Sequence, residues 1–147
     1  MKTVLAIDGS SYSEYAVKTV AERLWPSNTT VRVLTVIQDI PPPASELWYD
    51  ASGSLERVNK ELEKRAEGLV KNIAESLKPS GLNVELAVRH GDPRSVIVDE
   101  ATEWEADLIV IGSHGYTGLK RLLLGSISQS VVAHAPCSVE VVRPKKS

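Results

Sequence analysis

Residues 107–130 read DLIVIGSHGYTGLKRLLLGSISQS, and this segment indicates the fold class most clearly. Residues 107–111 are a short run of mostly branched aliphatic side chains, which is typical of a buried strand. A loop with four glycines follows, and residues 126–135 then show the pattern of a helix that stops at Pro136. A buried strand that leads through a glycine-rich loop into a helix predicts an α/β protein with a parallel sheet.

The rest of the chain repeats this alternation of strand and helix. The other predicted elements are strands at residues 4–7, 31–37, 84–89 and 139–142, and helices at residues 12–25, 54–78 and 93–104. The chain has 147 residues, which is the size of one domain covering residues 1–147. The alternation predicts a single-domain, Rossmann-like, doubly wound sheet of five parallel strands with helices on both faces.

The predicted helices have apolar faces and recognisable caps. The helix at residues 54–78 repeats apolar residues every three or four positions, as a helix lying on a sheet does. These positions are Leu55, Val58, Leu62, Ala66, Leu69, Ile73 and Leu77. The helix at residues 12–25 is expected to bury Ala16, Val17, Val20, Ala21 and Leu24. Ser11 and Glu14 predict a capping box before it, and Asp92 and Pro93 predict the cap and first residue of the third helix.

Composition excludes several classes of protein. The charges, 17 basic against 19 acidic residues, give a net charge of −2, which excludes a polyanion-binding surface driven by bulk charge. A single cysteine, Cys137, cannot form an internal disulfide or a four-ligand zinc site. The sequence starts directly with a short apolar strand and has no run of about 20 apolar residues. We therefore expect a cytoplasmic protein.

Two unusual loops follow the first and fourth predicted strands, where an open parallel sheet binds its ligands. The first loop is residues 8–11, and the second is residues 112–115, followed nine residues later by Gly125 and Ser126. The amides at the start of the helix that follows Gly125 lack partners within that helix, which predicts a phosphate site. The alternative is structural: residues 126–129 form a capping box and Gly125 is only a turn.

Asp8 is the most suggestive carboxylate, because it follows an apolar strand at this edge of the sheet. It is placed to accept a ribose hydroxyl, to bind Mg²⁺ together with substrate phosphates, or only to accept loop amides. No Gly-Lys pair and no Gly-x-Gly is present, so the P-loop and dinucleotide fingerprints are both absent. Only Ser113, His114 and Asp8 offer catalytic chemistry, and their spacing assigns none of them a catalytic role.

Together these pieces resemble the universal stress protein family over nearly the whole chain. The nucleotide-binding branch has Gly-x-x-Gly, nine residues, then Gly-Ser or Gly-Thr after the fourth strand, and residues 112–126 match this without a gap. Three further pieces match in order: residues 8–10 after the first strand, residues 91–93 before the third helix, and residues 135–137 before the last strand.

The resemblance implies a sheet ordered 3-2-1-4-5 and a bound adenine nucleotide: ATP, AMP or ADP, with Mg²⁺ or Mn²⁺. It implies that Ile7 and Val36 contact adenine and that Asp8 faces the ribose or the metal. The residues implied around the ribose and inner phosphates are Gly112, Ser113, His114 and Gly115. Those implied around the outer phosphates are Gly125, Ser126, Ile127 and Ser128.

The implied function is a role in stress response or signalling through nucleotide occupancy, with slow or no hydrolysis. The alternatives are a nucleotide-free dimeric interaction module and a weak ATPase. Residues 39–53 contain three prolines (41–43), Trp48 and Tyr49, and we expect this loop to arch near the ligand and to change with occupancy. The alternative is that another protein recognises the prolines. We expect a protein partner of unknown identity, and we expect no binding to nucleic acid or to a membrane.

The family usually forms homodimers, and the fifth strand lies at the edge of the implied sheet. Val139, Val141 and Val142 are therefore the predicted dimer interface. Glu140 is expected to point to the opposite face from Val139 and Val141, with Arg143 or a lysine of the tail as its partner.

Overall fold

The computed structural model describes residues 1–38, 53–115 and 123–145. Its five strands are β1 (Lys2–Ala6), β2 (Thr30–Ile37), β3 (Asn83–His90), β4 (Leu108–Gly112) and β5 (Ser138–Val142). The helices within these ranges are α1 (Ser11–Glu22), α2 (Ser54–Leu77), α3 (Pro93–Trp104) and α4 (Ser126–His134). A 3-10 turn, Lys78–Ser80, follows α2. Every predicted strand and helix is present, with ends that differ by up to three residues.

All strands pair in parallel, in the order β3-β2-β1-β4-β5, which confirms the predicted sheet. The central strands are buried on both faces: Val4, Leu5, Ile109 and Val110 are 0% exposed. One face of the sheet packs against α1 and α2, and the other face packs against α3 and α4. Within the described ranges, no helix has the length and apolar character needed to cross a membrane.

The first helix begins and ends earlier than predicted. Its cap is Ser10, whose hydroxyl accepts the amide of Ser13 at 3.3 Å, so the predicted capping box that starts at Ser11 is wrong by one residue. The helix ends at Glu22, and the extended backbone of Arg23 turns the next residue outward. Leu24, predicted to be buried, is therefore 96% exposed. The cap at Asp92 and the first helical position at Pro93 are confirmed.

The long helix α2 lies on the sheet over only part of its length. Glu63 lies 3.0 Å from His90, the last residue of β3, so the turns before Glu63 extend beyond the carboxyl edge of the sheet. Val58 is consequently 54% exposed and Leu62 37% exposed, so the prediction that the apolar repeat lies on the sheet is wrong for these turns. The buried stripe starts at Ala66 and includes Val70, which the apolar repeat did not contain.

The edge strand β5 places its side chains on alternate faces, as predicted. Val139 and Val141 pack toward α3 and α4, whereas Val142 is buried in the core that contains α1. Glu140 faces α1 and pairs with Arg23, not with Arg143 or the tail. Arg23 reaches the carboxylate of Glu140 because the last turn of α1 ends above β5.

Candidate functional site

A cleft of about 250 Å³ opens at the carboxyl ends of β1, β2 and β4, between the starts of α3 and α4. It lies at the switch point of the sheet, where β1 and β4 are neighbours and the chain winds away in opposite directions. The residues that line it are Ala6, Ile7, Asp8, Ser13, Val36, Gln38, Pro93, Ile97, Ile111, Gly112, His114, Gly115, Ser126, Ile127 and Ser128.

The structure brings the predicted site residues together. All of them line the cleft except Ser113 and Gly125, which are buried beside it. The cleft has two ends of different chemistry. We call the end formed by residues 112–115 and 125–128 the glycine end, and the end formed by the last residues of β1 and β2 with the start of α3 the apolar end.

At the glycine end, α4 starts with unpaired amides. Its cap is Gly125, no side chain caps it, and its first internal hydrogen bond runs from the amide of Gln129 to the carbonyl of Gly125 at 2.9 Å. The alternative of a capping box at residues 126–129 is therefore wrong. The amides of Ser126, Ile127 and Ser128 precede that first bond and carry the positive end of the helix dipole toward the cleft.

The loop after β4 is held against this helix by hydrogen bonds. The carbonyl of Ser113 accepts the amide of Gly125 at 2.7 Å and the hydroxyl of Ser128 at 2.8 Å. A Cβ on Gly125 would lie 3.2 Å from both the Ser113 carbonyl oxygen and the Cα of His114. The missing side chain at 125 thus lets the loop and the helix start approach each other closely.

Asp8 lies close to Gly115 of the loop that follows β4. One carboxylate oxygen accepts the amide of Ser10 at 2.8 Å, and the other lies 2.8 Å from where a Cβ on Gly115 would stand. The loop-amide role considered for Asp8 is therefore present, and its second oxygen is directed at Gly115. Asp8 is the only acidic residue that lines the cleft within the described chain.

The metal and catalytic options are limited in the part of the chain that the structure describes. No group of three His, Cys, Asp or Glu side chains is placed to hold a metal ion there. The ring of His114 lies beside Tyr12, with centroids 5.0 Å apart, and its Nδ1 is 3.1 Å from the hydroxyl of Ser113. Ser113 is only 1% exposed, so this Ser-His pair presents no accessible nucleophile.

The apolar end contains most of the residues that the sequence did not indicate. Ala6, Pro93 and Ile97 line it together with Val36, Ile111 lines the cleft near the end of β4, and Gln38 and Ser13 also line the cleft. The lining positions at the strand ends could have been predicted from the sequence. Residues two apart on a strand share a face, and Val36 at the end of β2 is a predicted site residue. The contribution of α3 could not be predicted in this way, because the local sequence does not show which helix covers which strands.

Fold and cleft together define an α/β protein of the doubly wound class with a ligand-sized opening at its switch point. The sequence model of the universal stress protein family matches residues 1–143 of this chain. Universal stress protein MJ0531 of Methanocaldococcus jannaschii is 33% identical over 146 residues, which are 99% of this chain and 84% of that protein. The chain belongs to the universal stress protein family.

Solved structures agree with this assignment. The structure of MJ0577, whose biochemical function was assigned from its structure, matches with a TM-score of 0.84 at 29% identity, over 99% of this chain and 97% of that one. A family member from Arabidopsis thaliana, At3g01520, was solved with AMP bound. It matches with a TM-score of 0.71 at 20% identity, over 99% of this chain and 92% of that one, and this likeness concerns the fold alone.

Proposed function

We propose that this protein binds an adenine nucleotide in the cleft, ATP in preference to GTP, and acts through occupancy of that site in a stress response or in signalling. The observation that carries the proposal is the start of α4, where three successive amides without helical partners border the cleft. Such a helix start binds phosphate without a cationic side chain. The relative that holds AMP has the same fold, which supports the choice of an adenine nucleotide.

The orientation of the nucleotide follows from the two ends of the cleft. The glycine end offers amides and the close approach of main chain that phosphates need, whereas the apolar end offers Val36, Pro93 and Ile97 to a flat base. The ends of β4 and β2 lie two strand spacings apart, about 10 Å. A nucleotide would therefore cross the end of β1, with its ribose near Asp8.

The residues present fit a magnesium ion only together with the nucleotide. Mg²⁺ is held in many nucleotide sites by one or two carboxylates plus substrate phosphates. Asp8 supplies one carboxylate, whose first oxygen accepts the amide of Ser10 and whose second oxygen is directed at Gly115, and no other acidic side chain lines the described cleft. We therefore expect ATP to bind more tightly with Mg²⁺ than with EDTA, and Mg²⁺ alone to bind weakly.

Hydrolysis is expected to be slow. A hydrolase needs a base within reach of the attacking water. Ser113 is buried and bonded to His114, and Asp8 uses one oxygen to hold the amide of Ser10. We expect turnover below about 1 s⁻¹, the low end of ordinary enzymes. Release of phosphate from ATP at a faster rate would favour the weak ATPase. The expected response of residues 39–53 to occupancy falls mostly outside the described residues.

We also propose a homodimer formed by pairing of β5 with its copy. β5 is an edge strand, and Val139 and Val141 are half-buried on one face of it. Val142 is committed to the core with α1, so it would contribute its backbone more than its side chain. The carboxylate of Glu140 is paired by Arg23 within the chain, which reduces the charge at the edge.

A pair of variants tests nucleotide binding. ATP at 100 times its Kd stabilises a protein by about 2.7 kcal/mol, which raises the Tm of a domain of this size by about 5–10 °C. Ser126→Glu places a negative charge at the first residue of α4, where it favours the helix dipole but repels phosphates. We expect this variant to fold normally and to lose the rise in Tm with MgATP.

Gln129→Glu is the matched control. It adds the same charge to the same helix at an exposed residue that does not line the cleft, so the rise in Tm should persist. A wild-type Tm that does not change at millimolar MgATP would contradict the proposal and favour the nucleotide-free interaction module. Equal loss in both variants would show that the charge acts at a distance and not at the helix start.

A further inference from the structure

A polar residue stands at the apolar end of the cleft. Gln38 follows the last residue of β2 and, by strand alternation, shares its face with Val36. It lines the cleft, and it also lines a second opening of about 320 Å³ together with Gly91, Asp92 and Arg94. Gln38 is thus the boundary between the apolar end and a polar recess next to it.

The two charged side chains of that recess, Asp92 and Arg94, form an ion pair with each other. The guanidinium of Arg94 bonds the carboxylate of Asp92 at 2.9, 3.1 and 3.2 Å, and the Asp92 carboxylate also accepts the amide of Arg94 at 3.0 Å. The side-chain hydrogen bond from Arg94, followed by the backbone one, lowers the pKa of Asp92. Within the described ranges no residue forms a hydrogen bond with the side-chain amide of Gln38, which is exposed.

The other polar side chains of the cleft lie near its glycine end or are bonded within the chain. Asp8, His114, Ser126 and Ser128 lie at or beside the glycine end, and the hydroxyl of Ser13 donates to the carbonyl of Ser10 at 3.1 Å. The remaining described lining of the apolar end is aliphatic or proline. Gln38 is therefore the one described side chain at that end that can both donate and accept a hydrogen bond to a ligand.

We propose that Gln38 contacts the edge of the bound base, so that position 38 sets the base preference of the cleft; this inference rests on the proposed nucleotide site. An amide recognises adenine by accepting from its exocyclic amino group and donating to the adjacent ring nitrogen. A carboxylate of the same shape can only accept. It suits guanine, whose ring N–H and exocyclic amino group both donate, and it opposes the ring nitrogen of adenine.

The test is the ratio of the Kd values of ATP and GTP, measured by calorimetry on wild type and on Gln38→Glu. Each matched pair of hydrogen bonds contributes a discrimination of about 1–3 kcal/mol, so the variant should shift the ratio toward GTP by about 5- to 150-fold. Any general repulsion between the new charge and the phosphates acts on both nucleotides and cancels in the ratio. Gln129→Glu, the same substitution on α4 away from the cleft, should leave the ratio unchanged.

The outcomes separate the two proposals. A shift of the ratio in Gln38→Glu but not in Gln129→Glu supports base contact at position 38. If wild type binds ATP and the ratio is the same in all three proteins, the inference about Gln38 is overturned while the nucleotide site stands. If wild type binds neither nucleotide, both proposals fail. The Tm without ligand checks that Gln38→Glu folds, which is expected because the residue is exposed.

Discussion

Gly112 shows how one residue serves the fold and the cleft at once. It ends β4 and lines the cleft, but the reason it must be glycine lies on its other side. A Cβ at this position would stand 2.8 Å from the backbone carbonyl carbon and oxygen of Tyr12, in the first turn of α1. Its small size is therefore required for packing between β4 and α1, whatever the ligand.

This packing predicts a loss of stability in Gly112→Ala. The added methyl group has to displace backbone rather than a flexible side chain, and overpacking of this kind costs about 1–3 kcal/mol. The free energy of unfolding is measured by urea denaturation. Gly68→Ala is the control, because a Cβ there meets nothing within 4 Å and alanine favours a helix interior by about 0.5–1 kcal/mol over glycine. Equal stabilities of the two variants would contradict the close approach at Gly112.

Among the secondary-structure elements, α2 divides into a part that packs on the sheet and a part that extends beyond it. Val70 is 2% exposed in the core shared with α1, whereas Val58 is 54% exposed on the extending turns. We expect Val70→Ala to lower the free energy of unfolding by about 2 kcal/mol through lost burial and a cavity. Val58→Ala, the same change on the same helix, should alter it by less than about 0.5 kcal/mol. A similar cost at both positions would show that the extending turns are packed as well.

The same helix shows what the sequence can and cannot predict. Its existence and its ends followed from an apolar repeat, which is a local property of the chain. Which of those residues are buried depends on the length of the sheet beneath them, and β3 ends at His90, opposite Glu63. The glycine end of the cleft was likewise predictable, because its residues are close in sequence. The apolar end needs α3 beside β2, and Arg23 meets Glu140 only through the tertiary fold, so neither was visible locally.

For the whole molecule, the two edges of the sheet are β3 and β5, and they differ in character. β3 exposes Glu85, Arg89 and His90, which discourages pairing with another chain, whereas β5 is short and rich in valine. A two-fold axis at β5 would make the contact self-complementary. This contrast supports β5 as the edge of the proposed homodimer.

Light scattering on Val141→Lys tests the dimer. The lysine introduces a charge at the proposed contact, so the mass should fall from about twice to once the 16.0 kDa of the chain. Leu86→Lys, the same kind of change on an exposed residue of β3, should leave the wild-type mass unchanged. A wild-type protein that stays monomeric at high micromolar concentration would rule the dimer out.

Binding of nucleotide phosphates at the start of α4 can be followed residue by residue in the amide NMR spectrum of the protein during titration with MgATP. We expect the largest shifts on the amides of Ser126, Ile127 and Ser128, with further shifts at residues 112–115, because a phosphate would accept these N–H groups. Saturation at one nucleotide per chain is expected. No shift at millimolar MgATP, or shifts confined to residues away from the cleft, would contradict it.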